Sequence, residues 1–160
     1  MQLRPSALVL LLAALAGGPA AAHDHDHDAG SGSDQRQVIR LTPAEKHFLL
    51  SEMRGFVAIT QKIISAATAN DMAAVAEAAR VGGLKAHQKD FANPDSLVHG
   101  IRKKAPQAFF PLGRETHINF DRIAELATEL KDRDVVLNTL ADNLNNCIAC
   151  HSAYRVEEAH

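Results

Sequence analysis

The chain has 160 residues, 46% of them hydrophobic, and 17 Lys and Arg stand against 19 Asp and Glu. This length suits one domain with a substantial core, and a net charge of −2 excludes the broad basic surface that nucleic-acid binding requires. Aromatic residues make up only 4% and Trp is absent, so the core must be mainly aliphatic, which favours helices over strands.

The first segment is typical of an export signal. Arg4 precedes an apolar run at residues 7–16, and small residues lead up to Ala22. The run is about ten residues long, well short of the roughly 20 that are needed to cross a bilayer. We therefore expect a signal peptide at residues 1–22, cleaved near Ala22, and a periplasmic protein without stable insertion in a membrane.

A His/Asp-rich segment follows the predicted signal peptide. Residues 23–37 begin with HDHDHD and offer little that could be buried to offset the entropy of ordering them, so they predict a disordered arm before an ordered domain at 38–160. After cleavage, the free amine, two amides and the imidazole of His25 could bind copper or nickel in a square plane, and the repeated His23, His25 and His27 could hold zinc loosely. A solvated tail is the simpler interpretation, and metal handling by this arm is a minor alternative.

The first two predicted helices have clear start signals. Thr42-Pro43-Ala44-Glu45 supplies a capping Thr, a Pro at the first helical position and a Glu that closes a capping box, so a helix should begin there and reach about Thr68. A second helix should follow a cap at Asn70-Asp71 and continue to about Phe91, although Gly82-Gly83 could break it.

Two further helices complete the prediction. A long connection from Asn93 to Gly113 leads to a third helix over about Arg114 to Lys131, and a fourth runs from Asp132 or Asp134 to about Glu157. No alternation typical of strands is present. We therefore expect an all-α fold, an antiparallel four-helix bundle around one core.

The apolar stripe of the first helix is expected to centre on Met53. With about 100° per residue, seven residues fall close to it on the helical wheel. They are Leu49, Leu50, Phe56, Val57, Thr60, Ile64 and Ala67. Ile59 and Ile63 lie beside this stripe.

Both cysteines of the chain lie on the fourth predicted helix, in Cys147-Ile-Ala-Cys150-His151. Four chemistries use such a pair: a redox dithiol, a disulfide, a metal site and covalent attachment of haem. A thioredoxin-type dithiol belongs to a βαβ pattern, which this sequence lacks. A disulfide that encloses two residues would stabilise the fold weakly, and zinc would require a second ligand pair.

C-x-x-C-H is the attachment pattern of c-type haem. Two thiols at adjacent helical positions can add to the two vinyl groups along one edge of the porphyrin, and the His that follows lies under the ring, where it can bind the iron. Export agrees with this interpretation, because a covalent bond retains a cofactor that an exported protein could not recover. The sequence therefore predicts one covalent haem c, held by Cys147, Cys150 and His151.

A helical bundle that carries CIACHSAYR near its C-terminus resembles the cytochrome c prime family, the class II c-type cytochromes. The resemblance covers about Thr42 to Arg155. It implies a four-helix bundle with the haem at one end and His151 as the proximal iron ligand. It also implies that Arg155 lies near the proximal imidazole or a haem propionate.

Members of this family differ on the distal side of the iron. An apolar side chain there leaves five-coordinate iron that binds nitric oxide or carbon monoxide, whereas a methionine gives six-coordinate, low-spin iron suited to electron transfer. The corresponding position falls near Met53, so the chain is more similar to the low-spin members, with a thioether ligand. A register one turn earlier would bring Leu49 or Leu50 there, and His117 on the third helix is a further candidate.

The predicted function is therefore electron transfer with a redox partner protein, through iron bound by His151 and Met53. Binding of nitric oxide or carbon monoxide by five-coordinate iron is the alternative. No set of catalytic side chains stands out, so we do not expect an enzyme. Ile59 and Ile63 favour a homodimer through the first two helices. Many members of the family associate in this way.

Overall fold

The fold begins with a short strand, runs through six helices and ends with a second strand. The computed structural model describes residues 33–159, so the predicted signal peptide and the segment with His23, His25 and His27 lie outside the described residues. The elements are β1 (Gln37–Leu41), α1 (Pro43–Thr68), α2 (Met72–Gly82), α3 (Gln88–Ala92), α4 (Leu97–Lys104), α5 (Phe109–Glu129), α6 (Arg133–Ala153) and β2 (Tyr154–Glu158). The expected helical character is confirmed, and the antiparallel four-helix arrangement stays a prediction.

The predicted start of α1 is confirmed in its chemistry. The Thr42 backbone N–H donates to Glu45 Oε2 at 2.8 Å, and the Glu45 N–H donates to Thr42 Oγ1 at 3.3 Å. Two amides that the helix leaves unpaired are satisfied in this way. Glu45 is buried, and the ammonium of Lys104 donates to Glu45 Oε1 at 2.8 Å. The cap of α1 therefore also holds α4 in place.

The buried face of α1 is rotated from the predicted stripe. Its buried apolar residues are Phe56, Ile59, Ile63 and Ala67. Val57 is 71% exposed and Ile64 is 43% exposed, although both were expected inside. Met53 is partly buried at the edge of the core. Since Ile59 and Ile63 are core residues, the argument that they favour a homodimer is wrong.

Small side chains on α2 let this helix approach α5 closely. The buried residues of α2 are Met72, Val75, Ala76, Ala79 and Gly82. A Cβ on Gly82 would lie 2.8 Å from Phe120 Cδ2 and 3.0 Å from Ile59 Cδ1, so a side chain there would force the core apart. Gly82 therefore fixes how closely α1, α2 and α5 pack.

Three of the predicted helix boundaries are wrong. Gly83 adopts an extended conformation and ends α2, so the helix predicted to reach Phe91 is divided. The connection predicted before Gly113 contains α4, and α5 begins at Phe109, because Pro111 is tolerated in a first turn whose amides have no intrahelical partner. The last helix ends at Ala153 rather than near Glu157, since the next residue is extended.

The expectation of no strands is also wrong. β1 and β2 pair in parallel, from Gln37 with Tyr154 to Leu41 with Glu158. Gln37, assigned above to the arm, is the first residue of β1. Ile39 and Leu41 are fully buried and form a second cluster with Ile101, on which Leu49, Phe109 and Val156 pack. The N-terminal strand thus joins the residues that directly follow the cysteine motif.

Ile63 and Ile64 are neighbouring residues of the same type, and substituting each tests which face of α1 is buried. Ile63 is fully buried and Ile64 is 43% exposed. We expect Ile63→Ala to lower the free energy of unfolding by about 2–4 kcal/mol, because it leaves a cavity, and Ile64→Ala by less than about 1 kcal/mol. Urea unfolding of both variants measures the difference, and equal losses would contradict the buried face described here.

Candidate ligand-binding site

One end of the helical core opens into a cavity instead of closing with packed side chains. Phe56 and Phe120 stack at 5.6 Å between ring centroids at the end of the core. The cavity beyond them holds about 900 Å³ of empty space, part of it open to solvent. Its lining is mainly apolar and includes Leu49, Met53, Phe91, Ile101, Phe109 and Phe110. This lining suits an apolar ligand.

The cysteine motif lies on the α6 wall of this cavity. Asp132 Oδ1 accepts hydrogen bonds from the amides of Asp134 and Val135 at 2.9 and 3.1 Å and so fixes where α6 begins. Cys147 and Cys150 line the cavity one turn apart and are partly buried.

His151 also lines the cavity but is itself exposed, so it lies where the cavity meets solvent. The structure therefore places the three residues of the motif on one wall of the cavity.

The two thiols are free and have no thiolate character. Burial raises the pKa of both Cys147 and Cys150. Cysteines that exchange disulfides have lowered pKa values, since the thiolate is the nucleophile. The environment of this pair therefore argues against a redox dithiol.

The α1 wall carries two of the three predicted distal candidates. Met53 and Leu49 line the cavity. Leu50 is 40% exposed and is not among the lining residues. The rotation of α1 that buries Ile59 and Ile63 accounts for this, because it turns Leu50 towards solvent. Leu50 is therefore excluded as a residue of this wall.

His117 lines the cavity from α5, and its protonated nitrogen can be assigned. His117 Nδ1 lies 2.7 Å from the Gly82 carbonyl oxygen, which can only accept, so Nδ1 carries the proton. Nε2 then has a lone pair, and no residue in 33–159 forms a hydrogen bond with it. The ring centroid is 5.0 Å from Phe56, 5.7 Å from Phe91 and 4.9 Å from His87, so the imidazole is held by aromatic neighbours.

The structure does not bring Arg155 to the cavity. Because α6 ends at Ala153, Arg155 lies in β2 and not one helical turn after His151. Its Nη1 donates to Glu157 Oε1, and its Nε lies 3.6 Å from Asp34 Oδ2. Arg155 is thus engaged with two carboxylates and is not among the lining residues.

The charged side chains of the lining were missed from the sequence. Glu52, Asp90 and Arg114 all line the cavity. Asp90 lies in a stretch predicted to continue a longer helix, and Arg114 was taken only as a helix boundary. The sequence did carry one signal for Arg114. It precedes His117 by three residues, and residues three apart share a helix face.

Fold and site define a mostly helical protein with an open, mainly apolar cavity and a Cys-Cys-His set on one wall. Across residues 33–159, no three His, Cys, Asp or Glu side chains converge to hold a metal ion. None of the six helices is long and apolar enough to cross a membrane in that part of the chain. Comparison with models of protein families, with curated proteins and with solved structures finds no match. A function must therefore be argued from the chemistry of the cavity.

His117 should make the stability of the fold depend on pH. Burial lowers its pKa, so the unfolded chain binds a proton more readily than the folded protein as pH falls below about 6.5. The free energy of unfolding should then decrease on acidification, with a contribution from His117 of at most about 1.4 kcal/mol per pH unit.

Urea unfolding at pH 7.5 and pH 5.5 measures this contribution. His117→Gln should reduce the loss of stability between the two pH values. His47→Gln changes an exposed residue on α1 and should retain the wild-type loss. An unchanged pH dependence in His117→Gln would show that the imidazole is not kept neutral by the fold.

Proposed function

We propose that the protein is an exported c-type cytochrome that carries one covalent haem and transfers electrons. The observation that supports this most directly is the mainly apolar cavity with Cys147, Cys150 and His151 on one wall. Haem is a flat, largely apolar group with a polar edge, and the apolar lining and open mouth of this cavity match both properties.

The donor groups on the cavity wall also fit a haem. Thioether formation adds a thiol to each vinyl group, and Cys147 and Cys150 are neutral thiols one turn apart on the same helix face. His151 follows directly and would provide the proximal imidazole. The bound haem would supply iron that changes its oxidation state by one electron.

Met53 is the proposed sixth ligand. Its thioether belongs to α1 and lines the same cavity as the α6 motif. A buried Met most often fills space, as this one does at the edge of the core. A thioether opposite a His also holds haem iron in the low-spin state and raises its reduction potential.

Binding of nitric oxide or carbon monoxide is the second candidate. Leu49 lines the cavity one turn before Met53, and an apolar side chain over the iron would leave its sixth position open. Leu49 also packs on the cluster formed by Ile39, Leu41 and Ile101. Met53 packs on the first core in the same way, so the preference for Met53 rests on its thioether, which can bind iron.

The remaining parts of the proposal follow from this function. An electron carrier requires a redox partner protein, and covalent haem together with the signal at residues 1–22 favours the periplasm. A homodimer through α1 and α2 stays a prediction without the support of Ile59 and Ile63. Metal binding by His23, His25 and His27 would be auxiliary to the haem.

Covalent attachment is the first test. Expressed with a haem-attachment system, the protein should gain the mass of one haem, and acid-acetone should not extract it. Cys147→Ala and Cys150→Ala should each lose one thioether bond, and the double variant should lose all covalent haem. Ser152→Ala, at an exposed position on the same helix, should retain it. Complete extraction of haem from the wild-type protein would refute the proposal.

The absorption spectrum tests the sixth ligand. Wild-type protein should have a low-spin ferrous spectrum and the weak near-red ferric band of a Met-to-iron bond. Met53→Leu should abolish that band and let carbon monoxide bind readily, because a similar volume is kept without the sulfur. Met72→Leu, in the buried core of α2, should keep the wild-type spectrum. A high-spin wild-type spectrum that responds to carbon monoxide would favour gas binding instead.

A further inference from the structure

The cavity has an uneven distribution of charge. Its ionisable lining residues are Glu52, His87, Asp90, Arg114, His117 and His151. Among these residues, Arg114 is the only Lys or Arg. It lies near the start of α5 and is exposed, and no residue in 33–159 forms a hydrogen bond or ion pair with its guanidinium. The cavity therefore presents one permanent cation without a protein partner.

Three other basic residues, Lys104, Arg102 and Arg155, are engaged with groups of the protein. The ammonium of Lys104 donates to Glu45 Oε1 at 2.8 Å. The guanidinium carbon of Arg102 lies 5.3 Å from the ring centroid of Phe110, on which it stacks. Arg155 pairs with Glu157 and Asp34 and does not line the cavity. Arg114 is thus the basic side chain best able to take an anion from a bound ligand.

A haem in this cavity would bring two propionate carboxylates with it. Carboxylates are costly to leave without partners, and guanidinium groups bind them with paired hydrogen bonds. Glu52 on α1 and Asp90 on α3 would repel propionates from their side of the cavity. The N-terminus of α5 has no side-chain cap, so the positive end of its dipole adds to the charge of Arg114.

On the basis of the proposed function, we propose that Arg114 binds a propionate of the haem. The family resemblance assigns this role to Arg155. Arg155 would instead pair only with Glu157 and Asp34. The polar edge of the haem would face the N-terminal part of α5, and its thioether edge would remain at Cys147 and Cys150. Arg114 would in this way set the orientation of the haem.

The reduction potential of the holoprotein, measured against pH, tests this assignment. A propionate paired with Arg114 stays ionised to low pH. In Arg114→Gln it should accept a proton more readily, so the rise of potential on acidification should begin at a pH higher by about half to one unit, a three- to tenfold change in proton affinity. The potential at pH 7 should fall, because a cation that favours the reduced haem is lost.

Two further variants separate this role from a general effect of charge. Arg114→Lys keeps the charge without the paired geometry and should lie between wild type and Arg114→Gln. Arg122→Gln removes an exposed charge of the same helix outside the cavity and should follow the wild-type curve. Glu52, His87, Asp90, His117 and His151 are the other charged or imidazole groups that line the cavity, and all these proteins keep them.

The result that would overturn the assignment is a curve for Arg114→Gln that coincides with that of Arg122→Gln, or a shift seen in Arg155→Gln alone. A shift in both Arg114→Gln and Arg155→Gln would support Arg114 and add a second partner. Absence of covalent haem from the wild-type protein would refute the cytochrome itself, which distinguishes that failure from a failure of Arg114.

Discussion

The close approach of α2 to α5 at Gly82 determines where the packed core ends and the cavity begins. Gly82 leaves no room for a Cβ against Phe120, and the carbonyl of the same residue accepts a hydrogen bond from His117 at 2.7 Å. Phe56 contacts both rings, stacked on Phe120 and edge-on to His117. One backbone position therefore sets the last layer of the core and the imidazole on the cavity wall.

The rest of the cavity depends on contacts that are distant in sequence. β1 pairs with β2 although the helices of the described residues lie between them in the sequence. Ile39 and Leu41 pack on Leu49, Ile101 and Phe109. These three residues also line the cavity. Without β1, these lining residues would lose the side chains on which they pack. β1 is therefore part of the same domain as the cavity, although it precedes the first helix.

The features that were predicted correctly depend on interactions between residues that are close in the sequence. The start of α1 was predictable because Thr42 and Glu45 cap it locally, and the motif residues share a helix wall because α6 is regular there. The strands were missed because five-residue segments paired in parallel leave no turn signal. Arg155 was predicted on the last helix because that helix was predicted to end too late. A role for Arg114 could be inferred only once the lining of the cavity was known.

The separation between the proposed iron ligands follows from the same packing. Met53 lies on α1 and His151 on α6, but α1 packs mainly on α2, and α6 packs mainly on α5. The α2 and α5 helices pack closely on each other through Gly82. The α1 and α6 helices also contact each other, over fewer residues, so the distance across the cavity depends on this direct contact and on the packing of α2 and α5. A side chain at position 82 would force α2 away from Phe120 and Ile59. In the proposed cytochrome this would change the spacing of Met53 and His151, although Gly82 does not line the cavity.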